Sequence, residues 1–145
     1  MNVQQIQDRF DIKYVVDHFS NLADEKNVAD QLPLFTEDAV VETYIDGELF
    51  ASANGREAIG KVFSDYLALF DKVYHLNGQQ TVELNGDSAE GVSYCQVALT
   101  HEKDGKPMML SHYVRYNDSY RRVNGQWLIA KRVAHFLISE DRVMG

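Results

Sequence analysis

The chain has a single cysteine, Cys95, so no disulfide can form within it, and cysteine use of this kind fits a reducing compartment. Basic side chains are also scarce: 14 Lys and Arg stand against 22 Asp and Glu, a net charge of −8. That balance argues against nucleic acid and anionic membranes as partners. The sequence contains no apolar run near the ~20 residues of a membrane helix. Its first residues, Met-Asn-Val-Gln-Gln-Ile-Gln-Asp-Arg-Phe, lack the basic-then-apolar pattern of a secretory signal. The expectation is a cytoplasmic protein. Gly-rich phosphate loops and serine elbows are absent as well. The five histidines, His18, His75, His101, His112 and His135, include no pair at two- or four-residue spacing, so the expected metal and cofactor content is none. Cys95 reads as a buried structural residue.

What is present fits one domain spanning residues 1–145, with 45% hydrophobic residues. From Met108 to Arg122 the sequence alternates with a period of two, the pattern of a strand with two distinct faces. Asn124-Gly125 supplies a type I′ turn, and a second strand runs from Trp127 to Ile138. With a two-residue loop and no irregularity, Tyr120 faces Ile129, Asp118 faces Lys131 and Asn117 faces Arg132. Tyr113 then faces Phe136. One face carries Val114, Tyr116, Tyr120, Trp127, Ile129 and Val133, too much apolar surface to leave in water. A second copy of the chain is the expected cover, giving a homo-oligomer, dimer or trimer. The other face, with Arg132 between the small Ala130 and Ala134, is expected to line a cavity. A bulge would exchange the faces.

Upstream, Val3 to Ala23 has helical spacing in Val3, Ile6, Phe10, Tyr14 and then Val15, Phe19, Leu22. A short second helix is expected over about Glu25 to Phe35, irregular at Pro33, and Thr36-Glu37-Asp38 as the turn into a strand from Ala39 to Tyr44. Asp46-Gly47 leads to a brief strand, Leu49 to Ser52, and a third helix runs from Arg56 to Phe70. Strands over Tyr74 to Leu84, Ser88 to Glu102 and Pro107 to Val123 complete the chain, separated by Asn85-Gly86 and Asp104-Gly105. The expected class is α+β: a cone-shaped, strongly curved, mostly antiparallel sheet with three helices on its concave face.

Asp24 reads either as the cap of the second helix or as a carboxylate at a cavity mouth. His75 reads as a strand-end residue, Asp118 as a cross-strand partner of Lys131, and Arg132 as a surface arginine or one pointing into the cavity.

Several strings together resemble a known family. They are Asp24 with Leu34-Phe35-Thr36-Glu37-Asp38-Ala39-Val40, Asn54-Gly55-Arg56-Glu57-Ala58-Ile59, and His75 with Asn77. Gly86-Asp87-Ser88-Ala89, Tyr116-Asn117-Asp118 and Asn124-Gly125-Gln126-Trp127-Leu128-Ile129 with Arg132 complete the set. The chain resembles the SnoaL-like branch of the nuclear transport factor 2-like superfamily, which includes bile-acid dehydratases and, more distantly, scytalone dehydratase. The resemblance implies a dehydratase- or isomerase-type enzyme without a cofactor, whose catalytic residues are Asp24, His75 and Arg132. Phe19 stands where those dehydratases carry a tyrosine, leaving Tyr44 or Tyr113 to supply a phenol from another wall. Phe19, Tyr44, Tyr113, Asn117 and Phe136 are the expected substrate contacts. The expected partner is a small apolar, aromatic or polycyclic molecule. The alternative is a non-catalytic binding or oligomeric accessory protein on the same scaffold, favoured by Phe19.

Overall fold

A computed structural model describes residues 1–145. Helix α1 (Val3–Asp24) starts at a capping box, where Asn2 accepts from the Gln5 amide and Gln5 reaches back to Asn2. Its buried stripe is Ile12, Val15, Val16, Phe19, Leu22 and Ala23. The other apolar row, Val3, Ile6, Phe10 and Tyr14, faces outward. The second helix is shorter than expected: α2 (Val28–Gln31) gives way to a 3-10 turn over Leu32–Leu34, where Pro33 has no N–H to extend it. Helix α3 (Arg56–Leu67) follows Gly55, which sits at φ +85° and needs to be glycine for that reason.

The strands are β1 (Phe35–Ile45), β2 (Glu48–Asn54), β3 (Val73–Asn85), β4 (Ser88–Lys103), β5 (Lys106–Val123) and β6 (Gln126–Val143). They form one curled, unclosed sheet in the order β2-β1-β6-β5-β4-β3, antiparallel except where β1 meets β6. Three helices and a mostly antiparallel curved sheet make the fold α+β, as the sequence predicts. The expected turn at Thr36-Glu37-Asp38 is instead part of β1, at the break in its register with β6. No helix is long and apolar enough to cross a membrane.

The β5–β6 hairpin departs from the uniform register in a way that decides the site. Tyr120 pairs with Ile129 but Ser119 pairs with Lys131, so Ala130 is an extra residue in β6. Leu137 is a second one, between the Val114–Phe136 and Tyr113–Ile138 pairs. Each bulge shifts the pairing by one. Asp118 therefore faces Arg132, not Lys131, and Asn117 faces Val133. Arg132 joins Val114, Tyr116 and Tyr120 on the inward face. The apolar face assigned to a second chain is instead buried beneath the chain's own helices: Tyr120, Trp127 and Ile129 pack against Ile12, Val15 and Phe19 of α1. Val133 is not part of it.

Candidate active site

Asp24 is the last residue of α1, and α2 is capped by Asn27, which accepts from the Asp30 amide. The carboxylate is thus free of capping work and accepts a hydrogen bond from His75 Nδ1 at 2.8 Å. The side chain of His75 is 9% exposed and that of Asp24 29%. His75 points inward near the start of β3, two residues before Asn77. Asn77 Nδ2 donates to Asp17 Oδ1 at 2.9 Å, and its Oδ1 accepts from Ser20 Oγ at 3.1 Å. These bonds tie β3 to α1 beside the Asp–His pair and fix the distance between them. With Nδ1 protonated toward the carboxylate, the ring keeps its Nε2 lone pair for the cavity that His75 lines.

That cavity holds about 110 Å³. Phe19 and Ala23 of α1, Gln31 of α2, and Phe63 and Tyr66 of α3 form its helical wall. His75, His112, Tyr116, Arg132 and Phe136 are among the strand residues opposite. Arg132, at its floor, belongs to a buried ion pair. Arg132 Nε and Nη2 each donate to Asp118 at 2.9 Å, a bidentate fork, and Tyr120 Oη donates to the same carboxylate at 2.7 Å. Arg132 is 1% exposed and Asp118 2%. The guanidinium carbon lies 3.8 Å from the Tyr116 ring and 4.7 Å from the Phe19 ring. Burial works against the charge on Arg132, but Asp118 outweighs it and holds the guanidinium protonated. Opposite Asp118 stands Gly91; a Cβ there would come within 3.0 Å of the Tyr120 ring and 3.2 Å of the Thr81 carbonyl oxygen. Glycine is what lets Tyr120 lie close enough to reach the carboxylate.

Phe19 occupies its position as a packing ring. It meets Phe35 and Phe63 edge-on at 5.8 and 5.7 Å and lies against the Arg132 guanidinium. A phenol borders the cavity at another position, Tyr66. Tyr66 Oη lies 2.9 Å from His112 Nε2, and His112 Nδ1 lies 2.7 Å from Ser139 Oγ. Burial pushes the Tyr66 phenol up to about 12, so it stays protonated. Burial pushes His112 down to about 4, with Asp141 opposing, so it stays neutral.

The neutral state of His112 has a consequence for stability. In the unfolded chain this ring charges near pH 6.5; in the fold it does not until about pH 4. Between these values the unfolded state binds more protons, so stability is present above about pH 6.5 and is lost as pH falls toward about 4. His112→Gln lacks this contribution. Urea unfolding at pH 7 and pH 4.5 is therefore expected to show the gap between native and variant shrinking in acid; a constant gap would contradict the assignment.

Of the residues read from sequence, the structure brings together Asp24, His75, Arg132, Phe19 and Phe136. It does not bring in the other three. Tyr44 stacks on His135 at 5.4 Å on the outer face, Tyr113 is 42% exposed, and Asn117 is exposed beside Val133. The bulge at Ala130 moves Arg132 to the face opposite Asn117 and Tyr113, and the one at Leu137 puts Tyr113 opposite Ile138. Sequence reasoning missed Tyr66, His112, Tyr116, Asp118 and Gln31 as site residues. Tyr66 falls within the predicted third helix, where nothing but its hydroxyl marks it. Cys95 is buried, as expected, with its thiol pushed up to about 11 by burial.

A family model for the SnoaL-like domain matches residues 4–133. Uncharacterized proteins of Mycobacterium tuberculosis and Mycobacterium bovis are 27% identical over 92% of this chain and 88% of theirs. Among solved structures, a candidate scytalone dehydratase from Novosphingobium aromaticivorans superposes with a TM-score of 0.83 at 20% identity, covering 100% of this chain and 94% of that one. A hexachlorocyclohexane dehydrochlorinase (LinA) superposes with a TM-score of 0.79 at 14% identity, over 100% of this chain and 94% of that one. With the match running through both α1 and the Arg132 strand, the chain belongs to the SnoaL-like domain family.

Proposed function

We propose that the chain is a cofactor-independent lyase or isomerase that removes a proton next to a carbonyl of a small cyclic molecule. The carrying observation is the 2.8 Å Asp24–His75 contact at the wall of a mostly apolar cavity. His75 Nε2 takes the proton from the carbon beside the carbonyl, and the C–H electron pair becomes the enolate. Asp24 holds the ring in the tautomer that can do this and stabilises the imidazolium formed. Arg132 and the Tyr66 hydroxyl face the cavity as donors for the enolate oxygen. The imidazolium then returns its proton. If it goes to a hydroxyl on the next carbon, the C–O bond breaks and water leaves; if to a distant carbon, the double bond migrates.

Size sets a ceiling of about one ring: a cavity of about 150 Å³ elsewhere accommodates benzene, and this one holds about 110 Å³. A polycyclic substrate requires the wall to open. The wall residues Thr43, Phe63, Tyr66 and Phe136 also line an apolar groove on the outside, which is where such an opening would lead.

Hydrogen–deuterium exchange at the α-carbons of cyclohexanone, followed by NMR, tests proton abstraction without a leaving group. The native chain is expected to accelerate exchange, and Tyr66→Phe to slow it about 10²-fold through loss of one oxyanion donor. Native protein that binds cyclohexanone without accelerating exchange would instead support a binding protein, the reading that Phe19 in the tyrosine position favours.

A further inference from the structure

The cavity wall carries two buried polar atoms with no partner: Arg132 Nη1 and Gln31 Oε1. Both residues are 1% exposed. The orientation of the Gln31 amide is set by its neighbour, because Nε2 donates to the Phe19 carbonyl oxygen at 3.1 Å. Flipping the amide would place two oxygens against each other, so Oε1 is the atom left free. The guanidinium is oriented in the same way, with Nε and Nη2 committed to Asp118. One free acceptor and one free donor therefore belong to side chains that line the same cavity. Each costs stability while unmet, and leucine at position 31 would suit the surrounding apolar wall better.

We propose that these two atoms read the substrate: a hydroxyl donates to Gln31 Oε1 while a carbonyl oxygen accepts from Arg132 Nη1. The ligand class is a hydroxylated cyclic ketone of about one ring, not a plain hydrocarbon or a halocarbon. Neutral ketones are preferred over carboxylates because Asp118 already neutralises Arg132. This inference rests on the cavity being the substrate site, and it adds a specificity role for Gln31.

The test uses 4-hydroxycyclohexanone and 4-methylcyclohexanone, which differ by hydroxyl against methyl and offer no hydroxyl on the carbon where His75 chemistry would expel it. Their affinities for the full native chain are measured by NMR titration. The hydroxy ketone is expected to bind at least about tenfold more tightly, and Gln31→Leu to remove or reverse that preference. Equal or tighter binding of the methyl ketone by the native chain would overturn the proposal, as would binding of neither. So would a hydroxyl preference that survives in Gln31→Leu. Should that variant not fold, the native-chain comparison decides alone. Hydroxyl preference without α-proton exchange would sink the enzymatic reading and leave this one standing; exchange without hydroxyl preference would do the reverse.

Discussion

Asp118→Leu is expected to lower unfolding stability by about 3–5 kcal/mol, a large share of what a domain of this size possesses. The cost comes from what remains. Arg132 would keep its charge at 1% exposure, with Nε and Nη2 deprived of their acceptors. The Tyr116 and Phe19 rings would still attract the cation, but a ring face replaces neither hydrogen bond. Tyr120 Oη would lose its acceptor too. Replacing both partners, Asp118→Leu with Arg132→Met, removes charge and acceptor together and is expected to recover most of the loss, because two desolvated ions are exchanged for packing of similar volume. Urea denaturation followed by circular dichroism measures all three variants. A loss below about 1 kcal/mol in the single variant would mean that the pair is solvated and the cavity floor is not as described.

Both that pair and its position were hidden in the sequence by one residue. The Asn-Gly and Asp-Gly turns, the helical stripes and the alternation of the last two strands suffice for the sheet and its helices. Up to Tyr120 and Ile129 the simple register of the last hairpin also holds. A bulge, however, leaves no residue signature of its own: Ala130 looks like any strand alanine. Missing it made Asp118 a surface partner of Lys131, sent Tyr113 and Asn117 inward, and left an apolar face for a second chain to cover. Asp24 and His75 were legible through family resemblance, since 51 residues separate them and no local pattern joins them. Tyr66, His112 and Gln31 come from three separate elements and meet only in the folded cavity. Their roles depend on burial and unmet hydrogen bonds, which alternation and spacing do not encode.

The largest expected effect on activity is that of Asp24→Asn. The amide keeps the shape of the carboxylate, and its Oδ1 can still accept from His75 Nδ1, so the ring keeps its tautomer but loses the charge that stabilises the imidazolium. That loss is expected to lower turnover by about 10²–10⁴-fold, the range over which general acid–base catalysis contributes. Stability should change little, because Asp24 is partly exposed and caps no helix. The direct measurement is the conversion of 3-hydroxycyclohexanone to cyclohexenone and water, followed by the absorbance of the conjugated ketone, with native chain and Asp24→Asn side by side. The Asp24–His75 account predicts acceleration by the native chain and its near-complete loss in a folded variant. A native chain that leaves the ketone unchanged, or a variant that works within twofold of it, would contradict the account.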